Sequence, residues 1–440
     1  MSSMRQMRIL YFAPRACWPL DTGAKLRNWH FVRQLSRFAR VTYLSFADDG
    51  AVRNGRARMG AAGPAPQPMN DIAQITDQVL TLTQEKPNSL GKILRGAVGP
   101  LPLVVLNYTT SAMRQELARV LDEGQFDAVQ VESVHLAGYL PLLRAARNRP
   151  LLLCDWHNIE SEVLSRYSKN APDRLRGLAA FALASQLAGF ERKVLEQFDA
   201  HLTVSERDRQ KLLALRPGLR AFAVDNGVHV DEFAGAGGAA SGPRRRIVFV
   251  GSMDYRPNAQ AIVAFARDLW PAIRAARPAW RLTVVGRNPG PEVRALGALP
   301  GVEVTGTVPD VRPYYADALA SVVPLRIGGG SRLKILEALA AGVPVVSTEL
   351  GAEGLALRDR EHALITRSPE AIGGALLELD ADPALRARLC AAGRALVQSR
   401  YDWSVVGDTL ARIYQQLHQQ RRGAPEALAP AAASLAAPAC

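Results

Sequence analysis

The segment Arg8-Ile-Leu-Tyr-Phe-Ala-Pro14 is the stretch that decides the fold, because it is a short apolar run that reads as a buried strand. A loop over 21–23 follows, then a helical pattern over 24–36 and a second apolar run over 41–46. Strand, loop, helix and strand in this order form the βαβ unit of a parallel sheet. The start of the chain therefore predicts an open α/β domain.

The same order of elements continues and divides the chain into two halves. Apolar runs at 126–132, 151–156 and 201–204 extend the first half, and Arg246-Ile-Val-Phe-Val-Gly251 starts the second. A segment rich in Gly, Ala and Ser between them has the composition of a linker. We therefore predict an α/β fold of two doubly wound Rossmann-like domains that face each other across a cleft. The predicted parts are an N-terminal domain (1–233), a linker (234–245), a C-terminal domain (246–400), a helix that crosses back to the first domain (401–420) and a disordered tail (421–440).

The net charge and the cysteine content of the chain indicate which classes of partner to expect. The chain has 440 residues and a formal net charge of +13, which favours nucleic acid, acidic lipid headgroups or phosphorylated small molecules. Arginine is spread along the chain without a zinc-finger spacing or an aromatic ribonucleoprotein motif, so nucleic acid is not a predicted partner. The four cysteines form no Cys-x-x-Cys pair, which predicts no metal site and suits the reduced cytoplasm.

The segment Pro324-Leu-Arg-Ile-Gly-Gly-Gly-Ser-Arg-Leu-Lys-Ile-Leu-Glu337 is the strongest candidate for chemistry. Its glycines, Gly329 and Gly330 among them, allow close approach to the backbone, and a helix predicted to start near Ser331 offers amide groups to phosphate oxygens. Arg326, Arg332 and Lys334 add positive charge where a diphosphate leaving group develops negative charge, and Glu337 can accept hydrogen bonds from ribose hydroxyls. The alternative is a glycine-rich turn before an exposed basic helix start.

The ten residues Glu337 to Val346 resemble the donor-binding motif of the retaining GT-B glycosyltransferases of family 4, which is Glu, seven residues, Glu, then Ala-x-Ala-x-Gly-x-Pro-Val-Val. Glu337 matches the second Glu, and Gly329 stands where the first would be. The resemblance implies that Glu337 holds the donor ribose, that the C-terminal domain binds a nucleotide sugar as substrate with no separate cofactor, and that the N-terminal domain faces the acceptor. The family's first Glu contacts the donor sugar, and that contact does not carry over.

A second stretch of likeness is Val250-Gly-Ser-Met-Asp-Tyr-Arg-Pro-Asn258, which resembles the family's loop at the opening of the second domain. Family members place an Arg after this Gly and a Lys a few residues on, to bind the diphosphate. This chain has Ser252 after Gly251 and no Lys in the loop. We expect Arg256, or the cluster of Arg326, Arg332 and Lys334, to bind the diphosphate instead. The loop is most similar to those of transferases of bacterial exopolysaccharide assembly.

The first domain offers candidates for the cleft. His157 follows a predicted strand directly and resembles the family's His near the donor sugar and acceptor, so it joins Glu337 as a predicted catalytic residue. Gly23 and Arg27 follow the first strand, and Ser205 and Glu206 follow another. A plain strand-to-helix turn at Gly23 and a helix N-cap at Ser205 are the structural alternatives.

Two amphipathic stretches, 86–108 and 174–193, mix basic and apolar residues. They indicate contact with an anionic membrane surface or, alternatively, packing in the core. No apolar run reaches the ~20 residues that span a bilayer, so the predicted location is cytoplasmic with peripheral contact at the inner face of the cell membrane.

The function predicted is metal-independent transfer of a sugar from a nucleotide-diphosphate donor to a lipid-linked or saccharide acceptor in bacterial exopolysaccharide biosynthesis. A nucleotide-sugar 2-epimerase shares the two-domain fold but needs acid and base carboxylates around the sugar, which Gly329 in place of Glu argues against. A Rossmann dehydrogenase lacks support because the first βα loop has no Gly-x-Gly-x-x-Gly. A non-catalytic nucleotide-binding scaffold of a polysaccharide-assembly complex stays open.

Overall fold

A computed structural model describes residues 6–18, 20, 22–47, 57–58, 72–84, 87–169, 171, 173–237, 244–327 and 332–423. The first sheet contains β1 (Met7–Ala13), β2 (Ala39–Phe46), β3 (Ala57–Arg58), β4 (Gln78–Leu82), β5 (Ala128–Glu132), β6 (Leu151–Trp156), β7 (Ala200–Thr203) and β8 (Ala221–Ala223). Their order is β3-β4-β2-β1-β5-β6-β7-β8, and all neighbours are parallel except β3 and β4. The chain changes direction across the sheet between β1 and β5, which is where doubly wound sheets bind ligands.

The second sheet repeats this arrangement. It contains β9 (Arg246–Val250), β10 (Arg281–Val285), β11 (Val302–Gly306), β12 (Ala318–Val323), β13 (Val345–Thr348) and β14 (Leu364–Thr366). Their order is β11-β10-β9-β12-β13-β14 with parallel neighbours throughout, so the switch point lies between β9 and β12. The two sheets confirm the predicted fold class. The short strands β3, β4, β8 and β14 were not predicted from the sequence.

Helices cover both faces of each sheet, and β1 shows the consequence. Ile9, Tyr11 and Ala13 pack into one hydrophobic cluster and Leu10 and Phe12 into another, as the two-residue period of a strand requires. The helices are α1 (Gly23–Leu35), α2 (Leu90–Val98), α3 (Leu103–Leu106), α4 (Ser111–Gly124), α5 (Leu140–Arg144), α6 (Glu160–Lys169), α7 (Arg174–Leu195), α8 (Glu206–Leu215), α9 (Arg256–Ala264), α10 (Trp270–Ala276), α11 (Pro291–Arg294), α12 (Leu333–Ala340), α13 (Glu349–Ala352), α14 (Ile372–Ala381), α15 (Pro383–Leu396) and α16 (Trp403–Gly423). In the described ranges no helix is both long and apolar enough to cross a membrane.

The last helix, α16, follows the second sheet in sequence but packs on α1 of the first domain. Gly407 permits the close approach, since a Cβ there would lie 2.1 Å from Gln34 Oε1. The hydroxyl of Tyr414 donates a hydrogen bond of 2.7 Å to Gln130 in β5. Residues 421–423, assigned to the tail from the sequence, continue this helix, and the rest of the tail and linker residues 238–243 lie outside the described residues.

Candidate active site

A cleft between the two domains encloses a cavity of ≈ 360 Å³. The first domain contributes residues that come shortly after β6, β7 and β8, including Asn158, Ser205 and Asn226. The second contributes Tyr255 and Arg256 from the start of α9, and Arg332 before α12. The cavity therefore lies at the carboxyl edges of both sheets, where open parallel sheets place their ligand sites.

Lys334 brings a positive charge to the switch point of the second sheet. Its Nζ donates a hydrogen bond of 2.7 Å to Asn258 Oδ1 and lies 4.6 Å from the centre of the Phe249 ring. Gly251, directly after β9, makes room for this arrangement, because a Cβ there would lie 2.8 Å from both Lys334 Nζ and Asn258 Nδ2. Lys334 thus lies beside the loop that carries no Lys of its own.

The ionisation of Lys334 is linked to that of Glu337, one turn later on α12. Burial, and to a lesser extent the charge of Arg332, lowers the pKa of Lys334 to about 7, against the opposing effect of Glu337. Burial raises the pKa of Glu337 to about 7, although Lys334 works against this rise. Two adjacent groups that titrate near neutrality are typical of functional sites.

Replacing Gly251 with Ala tests the position of Lys334. The added methyl group displaces the Lys334 amine from Asn258, and we expect about tenfold weaker binding of a nucleoside diphosphate, close to the cost of one hydrogen bond to a charged group. Isothermal titration calorimetry measures the affinity. Gly290→Ala is the matched control, because a Cβ there meets nothing within 4 Å. Equal affinities for the two variants would contradict the placement.

The loop after Gly251 is held by contacts within the second domain. The Ser252 hydroxyl bonds the carboxylate of Asp254 and accepts a hydrogen bond of 2.8 Å from Arg287 Nε. Arg287 Nη2 lies 3.4 Å from Asp254. Arg287 is not among the residues predicted from the sequence, although it comes two residues after β10, at the edge where open parallel sheets bind ligands.

The predicted basic cluster is divided in the structure. Arg326 forms an exposed ion pair with Glu370 and does not line the cavity, so the structure does not bring it together with Arg332 and Arg256. Arg332 is buried, donates 2.9 Å to the carbonyl oxygen of Leu350 and lines the cavity, as does Arg256. Of the basic residues in the predicted donor set, Arg256 and Arg332 line the cavity, and Lys334 contacts Asn258, which is on the same helix as Arg256.

Three other predicted donor-site residues, Gly329, Gly330 and Ser331, lie outside the described residues. The described part of α12 begins at Leu333, after Arg332 as N-cap.

Arg27 is fully buried below the first-domain side of the cleft. Its Nε and Nη2 donate to the two carboxylate oxygens of Asp155 at 2.7 and 2.8 Å. Its Nη1 donates to the carbonyl oxygen of Val224 at 2.9 Å and to Asn226 Oδ1 at 3.0 Å. The predicted role of Arg27 as a cleft residue is therefore wrong, because every nitrogen of its guanidinium joins β6 to the segment after β8.

His157 lies next to this pair. Its Nε2 is 2.5 Å from Glu132 Oε2 and 3.8 Å from Asp155 Oδ2, and its side chain is 15% exposed. Burial lowers the pKa of His157, but the hydrogen bond to Glu132 and the charges of Glu132 and Asp155 outweigh it, so the pKa is raised. His157 does not itself line the cavity; Asn158, the next residue, does.

The oxygens and nitrogen of Glu132, Asp155 and His157 that could bind a metal ion lie within 4.8 Å of one another. This set fits a cation poorly. Arg27 occupies both Asp155 oxygens with its own positive charge, and Gln130 donates 2.7 Å to Glu132 Oε1. The absence of a metal site stays a prediction of the sequence.

The other residues predicted to line the cleft from the first domain are Ser205, Glu206 and Gly23, and only Ser205 lines the cavity. Ser205 lines the cavity and also caps α8, since its Oγ accepts a hydrogen bond of 3.1 Å from the Asp208 amide. Glu206 is half exposed, pairs with Arg209 at 2.7 Å and does not line the cavity, so the structure does not place it with Ser205 at the cleft. Gly23 is the first residue of α1 and does not line the cavity either, which favours the plain turn.

Ion pairs that the sequence did not reveal join the domains across the cleft. Glu353, after α13, accepts contacts of 3.1 Å from Arg166 on α6 and 3.0 Å from Arg207 on α8. Glu162 binds the same two arginines from the first-domain side, at 2.6 and 3.2 Å. These contacts join the two walls of the cavity, and Lys211 adds a third positive charge beside Glu162.

Residues 244–382 match the family model described as Glycosyl transferases group 1. The phosphatidyl-myo-inositol mannosyltransferase of Mycobacterium leprae is 32% identical over 240 residues, which are 52% of this chain and 63% of that protein. The enzyme of the same name from Mycolicibacterium smegmatis is 28% identical over 313 residues, 69% of this chain and 75% of that one. The chain thus spans a little under two thirds of the first of these relatives.

Solved structures agree on the fold. The sucrose-phosphate synthase of Thermosynechococcus elongatus superposes with a TM-score of 0.64 at 16% identity and covers 94% of this chain and 100% of its own. Anabaena Alr3699/HepE in complex with UDP and glucose gives 0.59 at 14% identity, with 93% and 100% covered. The comparisons confirm the GT-B arrangement and the resemblance to glycosyltransferases that the sequence predicted.

Proposed function

We propose that the chain is a glycosyltransferase that moves a sugar from a nucleotide-diphosphate donor to an acceptor hydroxyl. The position of Lys334 supports this most directly. Its amine lies beside Gly251 at the switch point of the second sheet, where a diphosphate would approach the loop after β9. The match of residues 244–382 to group 1 glycosyl transferases covers this loop and α12 together.

In the proposed reaction the bond between the anomeric carbon and the β-phosphate oxygen breaks, and the nucleoside diphosphate leaves with the electron pair. The acceptor oxygen forms the new glycosidic bond and passes its proton to a departing phosphate oxygen. Negative charge grows on the leaving group, so Lys334 and Arg332 stabilise it in a partly buried place where charges act strongly. Metal independence and retention of configuration are parts of the proposal that rest on the family resemblance.

We assign two further roles on the same basis. Glu337, half buried on α12 one turn after Lys334, accepts hydrogen bonds from the ribose hydroxyls. His157, at the carboxyl edge of the first sheet, lies on the side of the donor sugar and acceptor, held by Glu132. The nucleotide sugar is the substrate, and no cofactor enters the reaction.

Two classes of acceptor are compatible with this donor site. The loop Gly251 to Asn258 favours a lipid-linked or saccharide acceptor of exopolysaccharide biosynthesis in the cytoplasm. The relatives' names favour a phosphatidyl-myo-inositol acceptor. Incubation of the protein and a radiolabelled donor with each acceptor class would distinguish them by which product forms.

A thermal-shift screen with UDP, GDP, ADP, dTDP and CMP tests the donor site, since a ligand that binds the folded state raises the melting temperature. One nucleotide is expected to raise it, and Glu337→Ala to abolish the rise. Glu349→Ala, on the exposed start of α13, is the control and should keep it. No rise with any nucleotide would reject the donor site. A rise without sugar transfer from the matching conjugate would favour the scaffold.

A further inference from the structure

Large apolar side chains are exposed on three helices of the first domain, α2, α6 and α7. Nine of the eleven exposed large hydrophobic residues in the described ranges lie on α2, α6 and α7, so they are concentrated and not scattered. The most exposed are Leu175 (80%), Leu90 (73%), Leu178 (67%), Phe181 (60%) and Leu94 (60%). Scattered exposed apolar residues need no explanation, but a concentration of this kind marks an interaction surface.

These side chains lie mainly on two helices, α2 and α7, which a hydrogen bond joins. Leu175, Leu178 and Phe181 are spaced three residues apart on α7 and so form one stripe along the helix. Gln186, later on the same helix, donates a hydrogen bond of 2.7 Å to the carbonyl oxygen of Gly96 in α2. We call the surface of Leu90, Leu94, Leu175, Leu178 and Phe181 the apolar face.

Positive charge surrounds the apolar face. Arg95 is next to Leu94, and Arg174 and Arg176 are on either side of Leu175; all three arginines are exposed. The sequences of α2 and α7 contain one acidic residue, Glu191, which is 1% exposed and turned inwards against Ser161. Apart from the half-exposed Asp173 that caps α7, these helices present cations and apolar groups together.

We propose that the apolar face docks the protein on an anionic lipid bilayer. Leucine and phenylalanine side chains enter the boundary of the acyl chains, while neighbouring arginines meet acidic headgroups. This combination distinguishes a membrane from a second copy of the chain, because the formal net charge of +13 makes two copies repel each other. The docking does not depend on glycosyl transfer.

The surface also reaches the cleft. Val163 and Tyr167 on α6, which packs along α7, are 41% and 42% exposed and line the cavity as well. An acceptor whose apolar tail stays in the bilayer can therefore bring its headgroup to the cavity along α6. This second step rests on the proposed function and specifies an amphiphilic acceptor.

Vesicle flotation of the full chain tests the docking. We expect binding to vesicles of phosphatidylcholine with phosphatidylglycerol, little binding to phosphatidylcholine alone, and release by salt. The triple variant Leu175→Ser, Leu178→Ser and Phe181→Ser should lose at least tenfold in binding. Leu215→Ser, which changes a leucine that is 43% exposed on α8, is the control and should bind like the original chain.

Further outcomes make the result unambiguous. Binding that ignores lipid charge, or that survives the triple variant, would overturn the proposal. So would a dimer in sedimentation that the triple variant dissociates, in the absence of vesicle binding, since the face would then contact a second copy. All three altered side chains are exposed, so we expect the triple variant to keep the melting temperature of the original chain. An unchanged melting temperature would show that the variant is folded. The nucleotide thermal shift is read separately and does not depend on this surface.

Discussion

Arg27→Met is expected to lower the free energy of unfolding by about 3–5 kcal/mol, because removing one partner of a buried ion pair leaves the other charge unbalanced. The Arg27 guanidinium is 1% exposed and the Asp155 carboxylate 0% exposed, and two hydrogen bonds join them. Removal of Arg27 also leaves the Val224 carbonyl oxygen and Asn226 without a donor each. Urea denaturation measures the loss.

Two further variants separate the effect of breaking the ion pair on stability from the effect of removing any arginine. Arg33→Met changes an exposed arginine on the same helix and should cost less than about 1 kcal/mol. Adding Asp155→Asn to Arg27→Met should recover part of the stability, since the unpaired charge disappears. A similar loss for Arg27→Met and Arg33→Met would show that the buried pair contributes little.

Binding of a nucleoside diphosphate is expected to take up close to one proton at pH 8 through Lys334. Burial holds the pKa of the free amine at about 7, so only about one in ten molecules carries the charge at pH 8. A diphosphate beside the amine favours the charged form and raises this pKa, which draws a proton from the buffer. The affinity should therefore fall as the pH rises above 7.

Calorimetry in buffers of different ionisation enthalpy measures this uptake. Lys334→Arg should abolish it while binding is retained, because arginine stays charged throughout. Lys334→Met should weaken binding by about 10- to 100-fold, as expected for a lost hydrogen bond to a charged group. Glu337 also titrates near pH 7 and is a second possible source of the proton uptake. If Lys334 takes up the proton, Glu337→Gln should keep the uptake. Uptake that persists in Lys334→Arg would assign the proton to another group.

The sequence by itself determined the two doubly wound domains. Each βαβ unit is formed by residues that are close in sequence. The strand Arg8 to Pro14, for example, is followed directly by its turn and its helix. It also placed Lys334 and Glu337 on a helix after a strand, and His157 at a sheet edge. These features depend on the period of apolar residues and on chain order, which can be read locally.

Only the tertiary structure decided which side chains meet. Lys334 contacts Asn258, 76 residues away, and Arg27 contacts Asp155, 128 residues away. It also paired Arg326 with Glu370, and Arg166 with Glu353 across the cleft. A long basic side chain can reach several partners. Which of them it contacts depends on how helices and strands that are distant in sequence pack together, and on which groups that packing excludes from water. Neither the packing nor the exclusion of water can be read from the residues next to that side chain in the sequence.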